Sequence, residues 1–342
     1  MDLQIIWFFL WALLWAVFFI TDGFDFGIGA LLPFLAKNDT EKRVMINAMG
    51  PFWDGNEVWL IAAGGVTFAA FPVLYAAMFS SLYSALMLIL FALIFRGVAM
   101  EFRGKVGDEG WRRFWDLCIF GGSVAPAVLF GVAFANFFMG LPIDGEGVYH
   151  GSLFSLLSGY GLLGGVLFLV LFLQHGAIWL AIRSEGELQQ RAQRVAGGIF
   201  WIALAVALIF LIVTRFETRL YDNYFANPLL FLLPVITLAA FAQVKIFMAK
   251  GKLFTAWFSS ALVIASCAFF GFIGLFPTLL PSSIDPAYGL TAFNASSSPL
   301  TLSIMLGVVL VFVPIILIYQ TWAYILFRGK VTEEDLAMDD AY

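Results

Sequence analysis

A small set of ionisable side chains sits where a largely apolar chain has no evident use for charge. Asp22 and Asp25 lie in "TDGFDFGIG", and Asp54 and Glu57 in "GPFWDGNEVWL". Arg96 and Glu101 lie in "IFRGVAMEFRGK", and Asp116 in "WRRFWDLC". Ionisable groups within a membrane are costly and commonly mark ion pathways or proton relays. Asp22 and Asp25 are three residues apart, as are Asp54 and Glu57, so each pair shares a helix face. Carboxyls joined by water can pass protons, and a nearby arginine can tune or hydrate such a relay. The competing reading is that Arg96 pairs with Asp25 or Asp54 and only ties helices together.

These residues must be positioned by membrane helices. The 342 residues are 62% hydrophobic, 18% aromatic and only 12% charged, with a mean hydropathy of +0.95. Apolar runs of about twenty residues or more recur along the chain, which defines an integral membrane protein. The runs are too long and too uniformly apolar for barrel strands, so an all-α membrane fold is predicted. Nine transmembrane helices are predicted, over 5–34, 44–76, 80–102, 113–140, 152–182, 195–217, 228–249, 254–280 and 299–327. One set of connections carries Lys37, Lys42 and Arg43; Arg103, Lys105, Arg112 and Arg113; Arg183, Arg191 and Arg194; Lys245, Lys250 and Lys252; Arg328 and Lys330. The other set carries only Arg215 and Arg219. This asymmetry puts the N-terminus outside and the C-terminus in the cytoplasm. The opening "MDLQ" has no basic residue, so the first run reads as a retained helix rather than a cleaved signal. The organisation expected is one membrane domain based on four-helix bundles. A first bundle spans 1–140, the remaining helices 151–327, and an acidic, solvated cytoplasmic tail 328–342.

Depth follows from the helical rise. Asp25 lies roughly 15 Å from the inner end of the first span, and Asp54 roughly 16 Å from Arg43 if the second span is continuous. Pro51 is expected to kink that second span. Arg96 lies roughly 10 Å from its inner end. With Glu57, Glu101 and Asp116, these groups fall in the inner half of the first four spans and outline a hydrated path from the cytoplasm. Gly23 and Gly27 have the spacing of a close helix contact.

Several function classes are disfavoured. A net charge of −5 without a dense basic patch argues against nucleic-acid binding. Cys118 and Cys267 stand alone in apolar runs, with no disulfide framework and no CxxC metal signature. The histidines are His150, in an outer connection, and His175, read as a hydrogen-bonded helix residue. Bis-histidine haem ligation needs two facing histidines in the bundle, and Met49, Met78 and Met100 have no evident axial partner. Haem and metal ligands are therefore expected to be absent from this chain, as are a Walker loop, a serine–histidine pairing and zinc-ligand spacing.

The blocks "DGFDFGIGALLPFL" and "MINAMGPFWDGNEVWLIAAGGVTFAAFPVLYAAMFS" resemble subunit II of the cytochrome bd-type quinol oxidases. "FRGVAMEFR", "WDLCIFGGSVAPAVLFGVAFAN", "LFPTLLPSS", "NASSSPLTL" and "VPIILIYQTWAYILF" extend the resemblance from end to end. It implies a bacterial cytoplasmic-membrane enzyme that oxidises quinol and reduces dioxygen to water. It implies a haem-bearing subunit I as heterodimer partner, holding two b-type haems and one d-type haem, with room for a small single-helix subunit, lipid and quinone. It assigns the aspartates of the DGFD and WDGN blocks, here Asp25 and Asp54, to a proton pathway toward those haems. The arginine of the third span carries over to Arg96. Two rivals remain from the residues themselves. A secondary transporter would need a second broken helix in an inverted repeat, and the second half has no equivalent acidic break. A purely structural subunit would use the charges only for packing.

Overall fold

The computed structural model describes residues 2–332 and 334–337. The first apolar run forms α1 (Leu3–Leu35). It is followed by α2 (Asp39–Met49), α3 (Trp53–Ala70), α4 (Pro72–Ser81) and α5 (Tyr83–Phe102). Next come α6 (Glu109–Met139), α7 (Gly159–Arg183) and α8 (Gly186–Glu217). The chain ends with α9 (Tyr221–Ala226), α10 (Leu232–Ala249), α11 (Leu253–Leu275) and α12 (Pro299–Leu326). Among the described residues, 8 helices are long and apolar enough to cross a membrane. They are α1, α5, α6, α7, α8, α11, α12 and the Pro228–Ala249 segment that contains α10.

The predicted span 44–76 differs, since it is divided among three helices. Asn38 caps α2 by accepting from the Glu41 N–H at 2.8 Å. That helix stops before Pro51, which has no N–H to continue the ladder. Phe71, ahead of Pro72, adopts φ −134° and ψ 65°, which ends α3, and Pro72 opens α4 as its first residue. Other boundaries move for local reasons. Ser158 caps α7 by accepting from the Gly161 N–H at 3.0 Å, so that helix starts later than predicted. The polar stretch "GELQQRAQR" is already helical, which lengthens α8 at its start. Residues predicted to end the eighth span instead form β1 (Thr278–Leu280), paired antiparallel with β2 (Leu290–Thr291).

α1 packs against α3, α6, α7 and α11, while α7, α8, α10 and α11 pack around one another. The centre is aromatic: Trp15 and Phe19 both meet Phe134 edge-on, with centroids 5.1 and 5.0 Å apart. Helix association in lipid depends on such close packing, because lipid chains are as apolar as the side chains. Gly27 and Gly176 make the closest approach, between α1 and α7. A Cβ on Gly27 would overlap the Phe172 carbonyl, and one on Gly176 would sit 2.7 Å from the Gly27 Cα. α12 is different. It touches α1 and α3, and only 6% of its apolar stretch is buried.

The acidic tail, expected to be solvated, packs back in its described part. Val331 donates its N–H to the Arg183 carbonyl at 2.7 Å, Arg43 reaches the Leu336 carbonyl at 2.6 Å, and Val331 and Leu336 are buried. Glu333, Asp339 and Asp340 lie outside the described residues.

Candidate functional site

Three helices bring one guanidinium to two carboxyls. Arg96 enters from α5, which approaches α6 closely because Gly122 has no side chain. A Cβ there would lie 2.6 Å from the Ala92 carbonyl oxygen and 2.8 Å from the Arg96 Cβ. One terminal nitrogen, Nη2, donates to Asp22 Oδ1 of α1 at 2.7 Å and to Glu57 Oε1 of α3 at 2.6 Å. The guanidinium also lies 4.4 Å from the Phe26 ring centroid, a cation–π contact. The Arg96 and Asp22 side chains are fully buried, whereas that of Glu57 is 22% exposed.

Asp25 is fully buried one turn further along α1. Its Oδ2 accepts from the Asn56 side-chain amide at 2.7 Å, and that amide also donates to the Thr21 carbonyl at 3.1 Å. The Asn56 oxygen in turn accepts from the Tyr324 hydroxyl of α12 at 2.9 Å. Gln320, one turn before Tyr324, donates to the Gly55 carbonyl and accepts from the Trp59 indole, both at 2.9 Å. α12 therefore holds the first turns of α3 in place. Asp22 Oδ2, Asp25 Oδ1, and Nε and Nη1 of Arg96 are buried without a hydrogen-bond partner among the described residues. Buried polar atoms of this kind are ordinarily satisfied by ordered water or by a proton.

The sequence-derived candidates thus divide. Asp22, Asp25, Glu57 and Arg96 form one buried group. Asp54 does not join it, since it lies exposed in the first turn of α3. The arginine's partners are Asp22 and Glu57, where sequence offered Asp25 or Asp54. Glu101 is exposed near the end of α5. Asp116 belongs to a second ionic cluster at the membrane edge. It accepts from Arg103 at 2.6 Å and from Lys42 at 2.8 Å, while Arg103 also reaches Asp39 at 2.7 Å. Partial burial opposes ionisation of Asp39, but the hydrogen bond and charge of Arg103, with help from Arg112 and Lys42, hold its carboxyl below the usual range. Asn56, Gln320 and Tyr324 were not singled out from the sequence. The usable signal was the polar Gln320–Tyr324 pair, four residues apart in an otherwise apolar helix.

Both histidines are hydrogen-bonded within the chain. His175 is buried with Nδ1 2.6 Å from the Ser260 hydroxyl and Nε2 3.1 Å from the Ile20 carbonyl, so both ring nitrogens are engaged. His150 is held 2.7 Å from Asp144 in an exposed loop. Among the described residues no group of His, Cys, Asp or Glu is arranged to hold a metal ion.

Fold and site define a multi-pass helical membrane protein with a buried ion-pair group and a nearly bare last helix. The chain belongs to the cytochrome bd terminal oxidase subunit II family, whose model matches residues 3–327. It is therefore one subunit of an oxidoreductase complex. Cytochrome bd ubiquinol oxidase subunit 2 of Bacillus subtilis (strain 168) is 37% identical over 334 residues, covering 98% of each chain. Cytochrome bd-I ubiquinol oxidase subunit 2 of Escherichia coli (strain K12) is 36% identical over 365 residues, covering 98% of this chain and 96% of that one. The structure of bd oxidase from Geobacillus thermodenitrificans contains a chain that superposes with a TM-score of 0.76 at 15% identity. The match covers 95% of this chain and 99% of that one, a likeness of fold.

Proposed function

We propose that this chain is the non-haem subunit of a quinol:dioxygen oxidoreductase, scaffolding a haem-bearing subunit I and carrying protons toward it. The haems, two b-type and one d-type, are assigned to subunit I. Quinol is the electron donor, and a small single-helix subunit, lipid and quinone are further partners. The chain forms one membrane domain, with the helices of 1–140, those of 151–327 and the tail of 328–342, in the bacterial cytoplasmic membrane. α3 supplies the ninth crossing, beside the 8 apolar helices. Its 18 residues rise about 27 Å, close to the thickness of a bilayer core. With nine crossings, the basic connections support an N-terminus outside and a C-terminus in the cytoplasm.

The observation that carries the proton role is the buried Asp22–Arg96–Glu57 connection, which opens at Glu57 onto the face of α3. Glu57 is the partly exposed member, and Asp54 lies exposed on the same helix one turn earlier. That face and the bare α12 form the surface assigned to subunit I, so the path runs toward it. Asp25 and Asp54 act as relay groups. Glu57 and Arg96 tune and hydrate the relay, Asp22 anchors Arg96, and Glu101 and Asp116 lie at its entrance. Protons taken up by such close carboxyls belong to the group rather than to one residue. A second reading is favoured by the two short ion pairs of Arg96: the group is a structural tie between α1, α3 and α5.

The variants Asp25→Asn and Asp54→Asn, made in the assembled complex, separate the readings. A relay role leaves haem absorption unchanged and lowers quinol-driven oxygen consumption by roughly a hundredfold or more, the range of a lost proton-transfer group. Normal turnover of an assembled Asp25→Asn complex removes Asp25 from the relay. Loss of haem or of the partner makes the group structural.

A further inference from the structure

The starts of α8 and the end of α10 enclose a second polar feature, remote from the buried carboxyls. Gln190, Gln193, Arg194 and Gly197 follow an i, i+3, i+4, i+7 pattern and so share one face of α8. Lys245 and Met248 line the facing side of α10, and a cleft of about 400 Å³ lies between. None of its lining residues is acidic. Two nearby acids are already engaged, since Arg191 contacts Glu41 at 2.5 Å and Glu187 at 3.3 Å. Among the described residues Arg194 makes a long bond, 3.4 Å, to the Gln190 carbonyl, and both Arg194 and Lys245 are exposed.

The cleft stands at headgroup level. α8 has 32 residues, about 48 Å of helix against about 30 Å of bilayer core, so its first turns rise out of the apolar layer. The Arg191–Glu41 contact sets them beside the α1–α2 connection. Lys245 Nζ lies 5.4 Å from the ring of Trp201, which is 59% exposed. Exposed tryptophans favour the membrane interface. Below it α8 and α10 present apolar side chains outward, Ile202 at 54% and Ile246 at 48% exposed. The floor is open: a Cβ on Gly197 would meet nothing within 4 Å.

We propose that this cleft binds the phosphodiester of an anionic phospholipid. Arg194 and Lys245 supply the charge, Gln190 and Gln193 supply amide donors to headgroup oxygens, and the acyl chains lie along the apolar faces beneath. A basic pocket between membrane helices selects anionic headgroups by charge, and the adjoining apolar surface selects a lipid over a free anion. The inference uses the proposed orientation only to name the inner leaflet as the lipid's source.

The test uses the intact, delipidated complex in neutral detergent and native mass spectrometry. Phosphatidylglycerol is titrated against phosphatidylcholine with the same chains. The parent complex takes up phosphatidylglycerol at a preferred site. The double variant Arg194→Gln, Lys245→Gln weakens that uptake roughly thirtyfold, about fivefold per basic side chain. Gly197→Phe blocks it while leaving both charges in place, and haem absorption reports that each variant is assembled. Equal uptake of the two lipids by the parent, or unchanged phosphatidylglycerol affinity in both variants, overturns the proposal. Displacement of the lipid by millimolar inorganic phosphate overturns the lipid assignment and makes the cleft a free-anion site.

Discussion

Replacing Arg96 by methionine keeps the length and apolar bulk of the side chain and removes its charge. Two buried contacts then disappear, to Asp22 at 2.7 Å and to Glu57 at 2.6 Å, together with the stacking on Phe26. Removing one partner of a buried ion pair costs about 3–5 kcal/mol, because the other charge stays behind uncompensated. The penalty has a ceiling. A stranded carboxyl can take a proton, and neutralising one with an ordinary value near 4 at pH 7 costs about 4 kcal/mol. Asp22 is fully buried and stands near that ceiling, while Glu57, at 22% exposure, can turn toward water and contributes less. A loss of about 4–6 kcal/mol follows, which in a chain of this size lowers the thermal midpoint by roughly 6–8 °C. The assay is the midpoint of the purified complex, followed by size-exclusion chromatography after heating. Two controls identify the cause. Lowering the pH from 7 to 5 makes protonation of the stranded Asp22 carboxyl cheaper by about 2.7 kcal/mol, so the gap to the parent narrows. Adding Asp22→Asn to the methionine variant restores part of the loss at pH 7. An Arg96→Met complex that melts within about 2 °C of the parent at both pH values would refute the reasoning, since Arg96 would then not be holding buried carboxylates.

Two further outcomes follow from the packing and the membrane edge. Gly27→Leu forces apart the α1–α7 crossing, where even a Cβ overlaps the Phe172 carbonyl, and is expected to prevent recovery of an assembled, haem-containing complex on affinity purification. The Asp39–Arg103–Asp116 cluster makes stability acid-sensitive. Asp39 is held below its ordinary value of 3.8, so its contribution is present above that pH and is lost as pH falls through the lower folded value. A thermal scan from pH 6 to pH 3 should show an added drop below about pH 4, smaller in Arg103→Gln, because the guanidinium that lowers Asp39 is gone.

The long apolar helices were legible because composition alone separates them from their connections. The broken second span was legible only in part. Pro51 and Pro72 announce interruptions, but the depth of Asp54 was counted along a continuous helix from Arg43. The turn between Met49 and Trp53 interrupts that count and leaves Asp54 exposed at the start of α3. The partner of Arg96 was not legible either. Asp22 and Asp25 share a face at three-residue spacing, and the choice between them depends on the rotation of α1, fixed by packing against Phe172 and Gly176. Tyr324 reaches Asn56 across 268 positions of sequence, a contact no local pattern encodes. Asn56 lies between two acids, and its type alone does not show that it faces Asp25.

The hydrogen bonds from α12 also have a consequence for the order in which the molecule is made. Asp25, Asn56 and Arg96 belong to helices that leave the ribosome early, whereas Gln320 and Tyr324 arrive on the last long helix. Until that helix is inserted, the Asn56 amide lacks the hydroxyl that fixes its orientation, and the opening turn of α3 lacks its tie to Gln320. The charged centre is therefore closed only when α12 joins the earlier helices, so a nascent chain still lacking that helix cannot carry the finished arrangement.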